Sequence, residues 1–251
     1  NAKLPLRIER LNVTVNIVGN IALTTMEMTF RNDQNRILEG ELNFPLGNGQ
    51  TVSRFAMDFN GSLREGVVVE KAKGREIFEE KVRQNIDPGL VELTRGNSFK
   101  ARVYPIPAHG IKKIVVAYQQ ELSSDGSGDL NYSLPLDYKD TLTEFTLNAL
   151  VLSSLAPVTA QGALTGAFTQ ESGDGGYALR MKYYEYQANT PLEFSVPQAT
   201  SKTTIYLESL GAKTYFYIAA HPPVSSMPKQ LPRALCILWD ASGSGSGRDT
   251  D

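Results

Sequence analysis

The twenty residues LNVTVNIVGNIALTTMEMTF, 11–30, constrain the fold more than any other stretch. Val13, Val15 and Ile17 alternate with Asn12, Thr14 and Asn16. A period of two puts the apolar side chains on one side of an extended strand, whereas a helix would scatter them around its surface. Gly19 and Asn20 interrupt the pattern and a second strand follows, so the stretch reads as a β-hairpin with a two-residue turn. After Leu23 the apolar phase moves to Met26, Met28 and Phe30. A one-residue slip turns a strand's side chains over, so a β-bulge is expected near Thr24 and Thr25.

Strand signals recur along the chain. They include ILEGELNF, VSRFAMDFNG and REGVVVE early, then SFKARVYPI and IKKIVVAYQQEL. Beyond residue 130 come LNYSLPL, EFTLNALVL, YALRMKYYEY, TTIYLESL and TYFYIAAH. One segment changes period. In KAKGREIFEEKVRQ, 71–84, Ile77, Phe78 and Val82 share a helical stripe, and Glu79 precedes Arg83 by four residues. NIDPG then ends the helix. SSDGSGD, 123–129, is a turn-rich break and a domain boundary. PPVSSMPKQLPR, 222–233, carries four prolines and reads as an extended linker. The fold class is therefore all-β: two β-sandwich-like units, the first with one crossing helix.

Composition excludes several classes. With 41% hydrophobic residues, 251 residues can bury a sizeable core. Basic and acidic residues number 25 and 27, and no face gathers Lys or Arg, so no nucleic-acid partner is expected. No apolar run approaches the roughly 20 residues that span a bilayer. NAKLPLRIE at the start lacks the apolar core of a signal peptide. The single cysteine, Cys236, cannot form an internal disulfide and sits in LCILW, where a thiol serves as packing.

Catalytic candidates are few. His109 and His221 both lie in loops beside Pro or Gly and suit surface or capping roles. Glu76, Glu79 and Glu80 on the 71–84 helix form a solvated face. A hydrolase would instead need two of these carboxylates about 5–9 Å apart in a cleft. Asn12, Asn60 and Asn131 head glycosylation sequons, which matter only in a secreted protein.

The last stretch, ALCILWDASGSGSGRD, leads an apolar strand into Asp240. A phosphate-binding P-loop would need a lysine before its Ser or Thr, and a dinucleotide loop would need glycine where Arg248 stands. Asp240, Ser242 and Ser244 instead give D-x-S-x-S at the carboxyl end of a strand. Their oxygens suit part of an octahedral Mg²⁺ shell, in the place where open α/β sheets bind ligands.

That ending resembles the first strand and metal-ion-dependent adhesion site of a von Willebrand factor type A domain. Residues 6–122 resemble a VIT domain, named for vault proteins and inter-alpha-trypsin inhibitor heavy chains. The resemblance is carried by VTVNIVGNIALTTMEMTFRN, LEGELNFPL, GVVVEKAKGREIFEEKV and DPGLVELTRGNSFKARVYPIPAHGIKKIVVAYQQEL, in that order. It implies a non-enzymatic protein-interaction or scaffold module, with a structural spacer as the plainer alternative. Four parts follow: a VIT domain at 6–122, a second β-rich domain at 123–221, the linker at 222–233, and the truncated start of a type A domain at 234–251. The resemblance gives Asp240, Ser242 and Ser244 as metal ligands and Mg²⁺ as the cofactor of a complete type A domain. In residues 1–251 no cofactor is expected. Gly245 departs from the small apolar residue usual after the second serine. Protein partners are expected through the type A domain, and a bacterial cell envelope is the expected location, with the cytoplasm as the alternative. Because ALCILW is apolar throughout, residues 234–239 are expected to pair with a sheet edge in the same molecule or in a second copy.

Overall fold

The computed structural model of the protein describes residues 7–47, 49–59, 61–66, 80, 89–93, 98–124, 128–136, 138, 141–152, 156–161, 169–173, 176–197 and 203–220. Among these the chain is nearly all β, with no helix among its elements. The helix expected over 71–84 falls outside the described residues except for Glu80, which is exposed.

Strands β1 (Arg7–Val18) and β2 (Ile21–Arg31) form the expected hairpin, with Gly19 at φ +60° in the turn. Leu11, Val13, Val15 and Ile17 are all buried. The expected bulge at Thr24–Thr25 is absent. The ladder runs unbroken through Thr14↔Thr25 and Val15↔Thr24, and the register shifts instead between Ile8 and Arg10. Thr24 takes the core position that the apolar pattern would give to a hydrophobe, while Leu23 faces the other side, half-buried. The Thr24 hydroxyl shares a 2.8 Å hydrogen bond with the Tyr132 hydroxyl. That bond offsets the cost of burying one hydroxyl, and an intact ladder costs less than a slip.

The β1–β2 hairpin lies inside an eight-stranded sheet. Its other members are β4 (Gln50–Phe59), β5 (Ser62–Glu65), β8 (Ile111–Glu121), β11 (Leu142–Leu152), β13 (Thr169–Gly173) and β14 (Gly176–Tyr186). Their order is β13-β14-β11-β1-β2-β8-β4-β5. β11 pairs with β1 in parallel, from Arg10↔Glu144 to Val18↔Leu152. The sheet therefore runs across the boundary expected near residue 123. Three further sheets complete the fold. β3 (Leu38–Pro45), β6 (Gly89–Leu93) and β7 (Ser98–Ile106) form one, in the order β3-β7-β6. β9 (Ser123–Ser124), β10 (Leu130–Leu134), β12 (Thr159–Gln161) and β15 (Leu192–Val196) form another, in the order β12-β15-β10-β9. Among the described residues, β16 (Thr203–Leu210) and β17 (Lys213–Ala220) pair only with each other.

One hydrophobic cluster unites the large sheet with the β3-β7-β6 and β12-β15-β10-β9 sheets. It joins Val13, Val15, Met28, Val116, Phe145 and Leu147 of the large sheet to Tyr132 and Leu134 of β10 and to Phe194 of β15. Tyr132 stacks on Phe194 at 4.7 Å, and Phe145 stacks on Tyr186 at 4.9 Å. Burying each such aliphatic or aromatic side chain is worth roughly 1.5–3 kcal/mol.

The loop between β7 and β8 is held by Asn32. Its Nδ2 donates to the carbonyls of Arg36 at 2.8 Å and Pro107 at 2.8 Å. His109, at φ +50°, is exposed in the same loop and donates its backbone N–H to the Gln34 carbonyl at 3.0 Å. This matches the surface role expected for it.

Candidate interaction surface

The β16–β17 hairpin differs from the other described strands in leaving large apolar side chains of both its strands exposed. Gly211, at φ +61°, closes the turn, and the ladder runs without a shift from Thr203↔Ala220 to Leu210↔Lys213. Tyr206 and Tyr217 are cross-strand partners and stack at 5.8 Å. They lie against the β1–β2 turn. A Cβ built on Gly19 would sit 2.9 Å from the Tyr217 ring and 3.2 Å from the Tyr206 ring, so the approach requires glycine there. The Tyr217 hydroxyl donates to Asn20 Oδ1, and Asn20 Nδ2 donates to Glu121 Oε1 at 2.8 Å. Burial, then the nearby Glu121 charge, raises the Tyr217 hydroxyl above the usual tyrosine range.

Alternation places the neighbouring pairs on the opposite side. These are Ile205↔Ile218 and Leu207↔Phe216. They are 59%, 50%, 71% and 70% exposed respectively. Four of the thirteen exposed large apolar side chains among the described residues fall on this side, and two more, Leu210 and Tyr215, stand exposed on the tyrosine side beyond the Tyr206–Tyr217 pair. The patch is therefore concentrated rather than scattered, and concentration is what distinguishes a contact surface from ordinary surface. Sequence reasoning identified both strands but not their bare side. The available signal was TTIYLESL paired with TYFYIAAH, two strands with apolar residues in both phases and no third strand between them.

A second feature lies in the core. The hydroxyls of Thr24, Tyr118 and Tyr132 meet between the large sheet and β10. Burial pushes Tyr118, Tyr132 and Tyr138 upward, most strongly for Tyr132, whose second cause is the charge on Tyr118. These groups hold their protons near neutrality; the Tyr132 hydroxyl shares its hydrogen bond with Thr24, and the Tyr118 hydroxyl is buried without a hydrogen-bond partner.

No group of three or more His, Cys, Asp or Glu side chains able to hold a metal occurs among the described residues. The expected ligands Asp240, Ser242 and Ser244 lie outside the described residues, as do Glu76, Glu79, His221, Cys236 and the segment 234–239. Of the sequons, Asn12 is exposed on β1 and accepts a hydrogen bond from Thr146 Oγ1 at 2.5 Å. Asn131 is half-buried on β10. No helix among the described residues is long and apolar enough to cross a membrane.

By fold, then, this is a β protein whose main sheet is laid down by its first hairpin and whose last described hairpin presents a bare apolar side. Residues 8–118 match the family model of the Vault protein inter-alpha-trypsin domain. No curated protein matches the chain. Among solved structures, it is similar to a nutrient binding protein from Legionella pneumophila, with a TM-score of 0.51 and 11% identity over 76% of this chain and 67% of that one. It also overlaps an M1 zinc metallopeptidase from Deinococcus radiodurans, with a TM-score of 0.42 and 14% identity, covering 91% of this chain and half, 50%, of that one. The Legionella likeness concerns the fold alone.

Proposed function

We propose that the protein is a non-enzymatic interaction and scaffold module, the amino-terminal part of a VIT–von Willebrand type A protein of a bacterial cell envelope. The observation that carries this reading is the bare apolar side of the β16–β17 hairpin. Four large side chains in two cross-strand pairs face solvent there. Covering each is worth roughly 1.5–2 kcal/mol by area, so the surface favours a protein contact. The match of residues 8–118 to the VIT family supports the same class of role. The β-sandwich-like arrangement of the sheets belongs to this reading, as does the type A assignment of residues 234–251. In a complete type A domain, Asp240, Ser242 and Ser244 would contribute oxygen ligands to Mg²⁺. That metal would in turn accept an acidic side chain from a protein partner.

The reading predicts that peptide, ester and glycoside substrates give no turnover above the buffer rate. Turnover that falls at least tenfold in Glu76→Gln or Glu79→Gln would overturn it in favour of a hydrolase.

A further inference from the structure

We propose that the open side of the eight-stranded sheet, over strands β14, β11, β1 and β2, binds a neutral polysaccharide. The β16–β17 side chains take no part in this site, so it stands or falls separately from the protein contact proposed there.

The sheet has two sides of opposite character. Val13, Val15 and Ile17 of β1 are sealed in the core, so Asn12, Thr14 and Asn16 point away from it, and all three are exposed. The register carries this polar character sideways. Asn12 stands beside Thr146 and Glu27, and Thr14 stands beside Asn148 and Thr25. Thr146 and Asn148 in turn stand beside Lys182 and Arg180 of β14. None of these side chains is buried. Further along the same side, Val115 and Ala117 of β8 and Ala56 of β4 are buried. The sheet thus closes this side where it turns apolar, at β8 and β4, and leaves its amides and hydroxyls to solvent.

Charge decides between partners. Three carboxylates on this side each lie against a cation: Glu27 against Lys113 at 2.8 Å, Glu144 against Lys182 at 3.0 Å and Glu171 against Arg180 at 2.6 Å. Arg10, beside Glu144, adds one further positive charge. A nucleic acid would need several cations free of such partners. The core of a protein contact would be poorer in charge and richer in aromatic residues. Asparagine amides and threonine hydroxyls offer donors and acceptors together without net charge. Their complement is an uncharged ligand whose own groups both donate and accept, and a polyhydroxyl chain has that chemistry.

An aromatic ring completes the match. Tyr184, 65% exposed, is the cross-strand partner of Glu144 on this side. The Lys182 ammonium lies 5.0 Å from its ring centroid and holds it in place. Glu185, next in the chain, has φ +48°, a conformation rare outside glycine. Around it, Tyr183 and Tyr186 stack on each other at 5.5 Å, and Tyr186 stacks on the buried Phe145. Tyr184 is left on the open side, where its ring can take the C–H side of a sugar. Leu150, 41% exposed on the same side, adds one aliphatic chain. Four strands about 4.8 Å apart, and the run from Asn12 to Asn16 at about 3.3 Å per residue, give a platform of roughly 14 Å by 13 Å. That area suits a chain of sugar rings rather than one.

The test is affinity electrophoresis of the full chain in gels that each carry one soluble neutral polysaccharide: a β-glucan, an α-glucan, a mannan or a galactan. At least one of them should retard the protein. Tyr184→Ala should weaken that binding by about tenfold or more, whereas Tyr184→Phe, which keeps the ring, should retain it. Circular dichroism should be unchanged in both, because the side chain is exposed. Phe216→Ser on the β16–β17 hairpin should bind as the unsubstituted chain does. Raising the salt concentration tenfold should change the affinity by less than about twofold, since no counterions are released.

Retardation by none of the four polysaccharides would overturn the proposal and leave the protein-contact reading untouched. Binding that Tyr184→Ala leaves intact would overturn it too, as would binding that Phe216→Ser abolishes, because the ligand would then lie elsewhere. Binding that falls steeply with salt would replace it with an electrostatic contact.

Discussion

The β1–β2 and β16–β17 hairpins share the same local grammar. Each alternates its side chains with a period of two, and each turns at a glycine with nearly the same conformation, φ +60° at Gly19 and +61° at Gly211. Their fates are opposite. The inner side of β1 is sealed, with Val13, Val15 and Ile17 at zero exposure, whereas Leu207 and Phe216 stand in solvent. The difference comes from neighbours. β1 is flanked by β2 and β11, β2 continues into β8, and β10 and β15 join their core. Among the described residues, β16 and β17 pair only with each other. Alternation specifies that a strand has two unlike sides, and the surrounding topology decides whether the apolar one is covered. A two-stranded ribbon is marginal by itself, and this one is fixed mainly where its tyrosines meet the first hairpin's turn.

The largest expected effect tests the sealed region. Phe145→Ala removes a fully buried ring stacked on Tyr186 and should cost about 3–5 kcal/mol in urea unfolding. A loss below 1 kcal/mol would mean that β11 does not close the core.

A smaller effect comes from alkaline pH, through the buried tyrosines of the same region. The folded state raises the hydroxyl pKa values of Tyr118, Tyr132 and Tyr138 above their unfolded value near 10. The unfolded chain therefore releases these protons first. Their contribution is fully present below about pH 10 and is lost as pH rises from there towards the folded values. The slope reaches about 1.4 kcal/mol per pH unit for each tyrosine. Unfolding free energies measured at pH 9 and 11 should show this drop, and Tyr132→Phe should shallow it. An unchanged stability up to pH 11 would contradict the burial of these hydroxyls.

The contact between the two hairpins can be broken separately. Gly19→Ala forces a Cβ towards Tyr217 at a positive φ and should cost about 1–3 kcal/mol. It should also loosen β16–β17, seen as faster amide exchange there. Equal stability would show that the rings and the turn are not in contact.

Smallest of all should be Phe216→Ala, at about 1 kcal/mol or less, because its ring is mostly outside. A cost approaching that of Phe145→Ala would erase the contrast between the two regions.

The legible parts of the fold were those set by local chemistry. The first hairpin, its Gly19–Asn20 turn and the strands at IKKIVVAYQQEL and EFTLNALVL all follow from alternation and turn residues. The slip at Thr24–Thr25 was misread for a physical reason. Apolar phase stands in for burial only when core positions are apolar, and here a threonine with a tyrosine partner holds one. The parallel pairing of β11 with β1 was also not legible, since alternation gives a strand a buried side without naming the strand beside it. The bare side of β16–β17 escaped notice for the same reason. The metal-loop residues Asp240, Ser242 and Ser244, read from spacing and resemblance, lie outside the described residues.

Native-state hydrogen exchange tests the central contrast most directly, comparing amides of β1, β2 and β11 with those of β16 and β17 in one sample. If topology rather than local pattern decides, the β1, β2 and β11 amides exchange only through global unfolding, and those of β16 and β17 exchange at least a hundredfold faster through a local opening. Equal protection in the two hairpins, falling together with denaturant, would contradict the account, because the last hairpin would then be as much a part of the sealed core as the first.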